Sequence, residues 1–358
     1  MIQERLNKIL KLMSDMKMPQ MIVSDSNTIF YLTGRWFHTG ERMIALYINL
    51  NGNNKLFLNE LFPVNQDLGI EIVRFNDNQE PVSKLAEHVE KDKPIGIDKT
   101  WPSRFLLKLM ELGGGSSFIN GSEITDRVRM SKDKKERELM RASSRVNDAA
   151  VDKLIKLISP KYTEEELGQM LMGIYKEMGA ESFSFDPIVA YGANASDPHH
   201  GNDNSTLKEG DNIVIDIGCR KDSYCSDMTR TVFYKFASEK SREVYEIVKE
   251  ANRRGIEKVK PGAKFCDIDA AARDYIEEKG YGKYFTHRLG HSIGIEDHDF
   301  GDVSSVNLDT VEPGMIFSIE PGIYLPGDVG VRIEDLVLVT IDGCEVLNKY
   351  NKELTIIE

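Results

Sequence analysis

The 358-residue chain has little cysteine, little histidine, no excess of positive charge and no long apolar run. Its four cysteines (Cys219, Cys225, Cys266, Cys344) form no CxxC pair and no even ladder, which argues against a disulfide framework and a thiolate zinc site. No apolar stretch approaches the ~20 residues that cross a bilayer. The opening MIQERLNKILKLMSDMK is charged from residue 4 onward, where a signal peptide would be apolar. A formal net charge of −12, spread along the chain with no basic stripe, argues against a nucleic-acid partner. The expectation is a reduced, cytoplasmic, soluble protein with neither membrane nor nucleic acid as partner. At this length the chain can bury two or three separate cores.

Two composition blocks follow. Residues 1–125 alternate between helical and strand-like patterns, as expected of one α/β domain. Helical spacing of Leu6, Ile9, Leu10 and Met13 precedes β-type runs at 21–23, 29–32, 43–48, 55–58 and 71–75. Helices are expected at 81–90 and 102–112, with 94–97 extended between them. The boundary is placed near residue 125, before a long charged helix from about Ser131 to Leu157 with Ser131 as N-cap. Residues 126–358 then form a second, mixed helix-and-strand domain.

Five of the seven histidines lie in two short segments: His199 and His200, then His287, His291 and His298. Singly, each reads as a surface histidine; as a set beside carboxylates, they point to a metal site. In the segment 212–227, two strands flank a turn at Lys221-Asp222. A two-residue loop there places Asp216 directly opposite Asp227, with β-carbons ~5 Å apart on one face. Ile213, Ile215 and Ile217 take the other face. Carboxylates that close repel unless a proton or a cation lies between them. Glu320 and Glu334 are likewise symmetric about Gly327, each on a strand-like run. Two divalent cations would neutralise four such carboxylates. An imidazole then completes an oxygen and nitrogen set suited to Mn²⁺ or Co²⁺, with Zn²⁺ or Fe²⁺ also accommodated.

These residues resemble the pita-bread metallopeptidases: prolidase, aminopeptidase P and methionine aminopeptidase. The motifs are Ile215-Asp216-Ile217-Gly218, Ser226-Asp227-Met228-Thr229-Arg230-Thr231, His287-Arg288-Leu289-Gly290-His291, Ser318-Ile319-Glu320-Pro321-Gly322 and Val331-Arg332-Ile333-Glu334-Asp335. The first block resembles the small domain of prolidase and aminopeptidase P through Ile29-Phe30-Tyr31-Leu32-Thr33-Gly34 and Glu41-Arg42, a domain that methionine aminopeptidases lack. The resemblance implies a small creatinase/prolidase-like N-terminal α/β domain (1–125) followed by a pita-bread catalytic domain (126–358).

It also implies roles. Asp216 would chelate one metal, His291 and Glu320 the other, and Asp227 and Glu334 would bridge them. His199, rather than His200, would face the scissile bond, with His298 contacting substrate and Glu320 shuttling a proton. His287 and Arg332 would either support the ligands or take the substrate carboxylate. The implied activity is cleavage of small peptides with proline after the scissile bond, by a homodimer whose Trp36-Phe37-His38 loop either reaches the partner's cleft or packs locally. Aminopeptidase P action on longer peptides, a non-catalytic pita-bread binding protein and a metal-free creatinase-type hydrolase are the alternatives. Two departures stand out: Ser292 follows the ligand histidine where many members carry glycine, and Asp297 and Asp299 flank His298.

Overall fold

The computed structural model describes all 358 residues, in two compact units, Met1–Arg129 and Met130–Glu358.

The first unit is built on one mixed six-stranded sheet. Its strands are β1 (Gln20–Val23), β2 (Ile44–Asn49), β3 (Lys55–Asn59), β4 (Glu71–Phe75), β5 (Pro94–Ile97) and β6 (Ser117–Asn120), in the order β4-β3-β2-β1-β5-β6. β1–β2 and β2–β3 are antiparallel, and the other pairs are parallel. Helices α1 (Gln3–Asp15), α2 (Ser26–Thr33), α3 (Pro81–Ala86), α4 (Ser103–Glu111) and α5 (Ser122–Met130) complete it. The run Ile29–Leu32 reads as strand from its composition, yet it lies inside α2. The reason is capping: the Asp25 carboxylate accepts the Asn27 and Thr28 N–H groups at the start, and Gly34, with φ 70°, closes the end in a left-handed turn. Two firm ends override a local β preference.

The second unit surrounds its strands with two helix pairs. α6 (Lys134–Ile155) and α7 (Glu164–Glu177) share a core with β7 (Ser182–Phe183), β8 (Ile188–Tyr191), β9 (Asn212–Ile217), β10 (Cys219–Lys221) and β12 (Met228–Tyr234), and β11 (Tyr224–Cys225) pairs with β10. α8 (Glu239–Lys258) and α9 (Phe265–Glu278) share another with β14 (Asp302–Val303), β15 (Ile316–Ile319), β16 (Gly322–Tyr324), β17 (Gly330–Arg332), β18 (Asp335–Val339) and β19 (Cys344–Val346), and β13 (Gly290–His291) pairs with β14. β20 (Ile356–Ile357) pairs with β12. The N-cap of α6 is Asp133, in a reciprocal box with Glu136, and not Ser131, which makes a β-bridge to Met315 instead. No helix is long and apolar enough to cross a membrane.

The hairpins fix the registers that matter. β10 and β11 pair Arg220 with Cys225 and Lys221 with Tyr224, so the two-residue loop is Asp222-Ser223 rather than Lys221-Asp222. Both loop residues have positive φ, 49° and 70°, as a hairpin matching the strand twist requires. The shift carries through: Asp216 on β9 stands opposite Thr229 on β12, not opposite Asp227. Asp227, two residues before Thr229, becomes the diagonal neighbour. Sliding the turn by one residue moves the partner by two, so the carboxylates keep a common side. The second pair needs no such correction. β15 pairs Ile319 with Asp335, and β16–β17 pairs Gly322 with Arg332, which leaves Glu320 and Glu334 facing each other where the two ladders meet.

Candidate metal centre

Alternation along β9 puts Ile213, Ile215 and Ile217 into the α6–α7 core at no exposure, and turns Asp216 to the opposite side. There it lines a cavity of about 1070 Å³ with Asp227, His291, Asp297, Glu320, Arg332 and Glu334. His199, His200, His287, Arg288 and His298 also line it, and Phe183, Phe185, Pro187 and Ile188 give it an apolar wall. Every site residue expected from sequence therefore borders one cavity.

The polar groups inside are arranged around something positive. Ligand atoms of Asp227, His291 and Glu334 lie within 4.8 Å of one another. Asp216 Oδ1, Asp227 Oδ1 and Glu334 Oε1 are buried and have no hydrogen-bond partner. The His291 Nδ1 faces the Ser292 carbonyl at 3.2 Å. A carbonyl only accepts, so Nδ1 carries the ring proton and Nε2 presents a bare lone pair. That lone pair lies 3.5 Å from Asp227 Oδ2 and 3.5 Å from Glu320 Oε1, an arrangement repulsive unless a cation or protons intervene. The oxygen and nitrogen donor set, its burial and its orphaned oxygens fit divalent metal.

The electrostatics say the same. Burial pushes Asp227 and Glu334 well above the usual carboxylate range, and the neighbouring carboxylates push them further. Burial, aided by Asp216, raises Glu320 to about 7 against the pull of Arg332. Asp297 is raised to about 6, mainly by burial. Burial lowers His291 and takes His287 and His298 down to about 3, so all three rings are neutral at ordinary pH.

A layer of hydrogen bonds behind these groups was not read from the sequence. Thr229 Oγ1 donates to Glu334 Oε2 at 2.8 Å and accepts from Arg332 Nε at 3.1 Å. Ser318 Oγ donates to Glu320 Oε1 at 3.0 Å and accepts the His291 N–H at 2.9 Å. Arg332 Nη2 holds Asp216 Oδ2 at 2.6 Å, while Nη1 donates to the Tyr324 hydroxyl at 2.8 Å. That hydroxyl meets His287 Nε2 at 2.9 Å. Arg332 thus spends donors on Asp216 and Tyr324. The His298 ring lies against that of His291, centres 3.8 Å apart and planes tilted by 33°, and its Nδ1 meets Arg288 Nη2 at 3.0 Å. The signal that could have found Thr229, Ser318 and Tyr324 is strand alternation, since each lies two or four residues from a site carboxylate and so shares its face.

Comparison with known proteins gives the family. The model of metallopeptidase family M24 matches residues 138–341, and that of the creatinase/prolidase N-terminal domain matches residues 5–131. The chain belongs to metallopeptidase family M24, and it is a metallopeptidase with the pita-bread fold. It is 33% identical over 353 residues to an uncharacterized peptidase of Staphylococcus aureus (strain MRSA252), covering 97% of this chain and 99% of that one. A crystal structure of a dipeptidase from Pyrococcus horikoshii OT3 superposes with TM-score 0.93 at 33% identity, covering 99% of this chain and all of the other (100%). The Xaa-Pro dipeptidase from Bacillus anthracis gives TM-score 0.91 at 31% identity, with 100% of both chains covered.

Proposed function

We propose that the protein is an Xaa-Pro dipeptidase in which Asp216, Asp227, His291, Glu320 and Glu334 hold two divalent metals, Mn²⁺ or Co²⁺ by preference. The observation that carries the metal site is the His291 lone pair aimed at Asp227, in a cluster where Asp216, Asp227 and Glu334 each keep one buried oxygen without a partner. Bound there, the metals would supply a water-derived nucleophile near neutral pH and polarise the scissile carbonyl. The chain's own groups do the rest. His298 has its Nδ1 occupied by Arg288, so its Nε2 carries a proton that it can donate to the developing oxyanion, with His199 on the same cavity wall. Glu320, whose Oε1 is held by the Ser318 hydroxyl, is assigned the delivery of a proton to the leaving proline nitrogen. His287 orders the Tyr324 hydroxyl, which accepts from Arg332, and Arg332 in turn holds Asp216.

Cleavage before proline is supported by the name of one structural relative that matches over the whole chain, an Xaa-Pro dipeptidase, and action on dipeptides by the name of a second, a dipeptidase. Proline's tertiary amide has no N–H to offer, so recognition falls to shape, which the wall of Phe183, Phe185, Pro187 and Ile188 can supply. A homodimer in the cytoplasm belongs to the same reading, with the four unpaired cysteines supporting a reducing compartment. In that dimer the Trp36 loop would approach the partner's cleft. Within the first unit Trp36 stacks on Phe30 at 4.4 Å and Phe37 is buried, so light scattering of wild type and Trp36→Ala distinguishes the two uses of the loop. The activity test compares Ala-Pro with Ala-Pro-Ala. Turnover of the dipeptide at least about tenfold more efficient supports the dipeptidase. The opposite ranking assigns the aminopeptidase P alternative.

A further inference from the structure

Thr163 caps α7 in a reciprocal box with Glu166, and the first helical residue, Glu164, is turned inward with its side chain at 0% exposure. Both of its oxygens are occupied. Oε1 accepts from the Tyr191 backbone N–H at 2.7 Å and from Asn194 Nδ2 at 3.0 Å. Oε2 meets His200 Nε2 at 2.7 Å and accepts the Asp203 N–H at 3.2 Å. A carboxylate has about four lone-pair sites, so four donors fill it. Asp203 completes a cluster with ligand atoms within 4.8 Å, but a cation would find no open oxygen on Glu164. The four donors come from the start, middle and end of the segment 191–203, which carries His199.

That segment has little regular structure of its own beyond one 3₁₀ turn, Gly192–Ser196. Its adjacent histidines part company. The His200 ring turns inward to Glu164 and is 14% exposed. His199, its backbone N–H held by Asp197 Oδ1 at 3.0 Å, stays exposed at the cavity. Asp197–His200 form a turn closed by the His200 N–H on the Asp197 carbonyl at 3.2 Å, with His199 inside it, so pinning the His200 ring at its end holds the backbone from which the His199 ring projects.

We propose, on the reading that His199 contacts the scissile bond, that Glu164 is a positioning residue: through His200 and the loop backbone it sets the His199 ring against the substrate. A glutamine at 164 presents an NH₂ to groups that themselves donate, so Glu164→Gln breaks the set with no change of size.

The test uses the full-length, metal-loaded protein and Ala-Pro. Glu164→Gln is expected to keep its metal content and a KM within about threefold, while kcat falls on the order of 100-fold, as a misplacement of about 1 Å would cause. In a His199→Ala background the same change is expected to cost no more than about threefold, because the group it positions is already gone. A kcat within threefold of wild type overturns the proposal, and so does a loss repeated in full without His199. His200→Phe is the second variant, since it leaves the backbone partners of Glu164 in place. It is expected to lower kcat about tenfold, again only when His199 is present, and an unchanged kcat overturns the route through His200. If wild type releases proline from no Xaa-Pro peptide, the functional reading itself has failed. The positioning is then read from the imidazole ¹H–¹⁵N correlations: Glu164→Gln is expected to move both the His200 and His199 ring signals, and an unmoved His199 overturns it.

Discussion

At the scale of single residues, the site depends on groups that never meet a substrate. Thr229 shows this most clearly, because one hydroxyl both donates to Glu334 and accepts from Arg332. Thr229→Val keeps the shape and the β-branched fit of β12 but strips both bonds. The orienting partners of metal-binding side chains are commonly worth 10–100-fold in affinity or activity. We expect a loss of that order in kcat/KM and in resistance to a chelator, with the melting temperature little changed. Unaltered chelator sensitivity would show that Glu334 needs no such support. His291 illustrates the same point from the other side. Its neighbour's carbonyl, not its own sequence context, decides which ring nitrogen carries the proton.

At the scale of elements, the two ladders around Gly327 bring Glu320 and Glu334 together, and a close approach of backbone locks them to the 3₁₀ turn. A methyl group on Gly330 would run into the Ala195 carbonyl oxygen. Backbone on both sides leaves no flexible atom to yield, so Gly330→Ala belongs at the upper end of overpacking costs, about 3 kcal/mol. Denaturant unfolding measures this, and a midpoint equal to wild type would contradict it. How much of these elements could be read in advance varied with the kind of signal. The isoleucine alternation of β9 and the symmetry about Gly327 were legible, and the register that brings Glu320 to Glu334 followed from counting. The Asp222-Ser223 loop was not, because neither residue is the glycine or asparagine that usually advertises positive φ, and the pairing of Asp216 moved with it. α2 was hidden for a different reason: Ile29, Tyr31 and Leu32 favour strand locally, while the decisive caps lie at Asp25 and Gly34, outside the run. Glu164 was invisible as anything but a surface glutamate, since three acids in a row at a helix start read as a solvated face. Only the returning loop makes it buried.

At the scale of the whole molecule, the cavity concentrates negative charge that the fold alone does not balance. In metal-free protein, Glu320 is raised to about 7 by burial and Asp216, and Asp227 and Glu334 are raised well above the normal range, while the same carboxyls in the unfolded chain titrate near ~4. The folded state therefore holds protons that the unfolded chain has released. The stabilisation this gives is complete below about pH 4 and is lost as pH rises through about 7. The melting temperature of metal-stripped protein is expected to fall between about pH 5 and pH 8, and added metal is expected to flatten that slope by neutralising the same carboxylates. Equal slopes with and without metal would mean that the carboxylates are not what the cations bind.

The most direct test of the central claim is proline release from Ala-Pro by metal-stripped protein, measured before and after addition of Mn²⁺ or Co²⁺. No release before addition and restored turnover after it, with two ions bound per chain, is the predicted result. Failure to bind divalent metal, or binding of two ions with no cleavage of Ala-Pro or Ala-Pro-Ala, would contradict it.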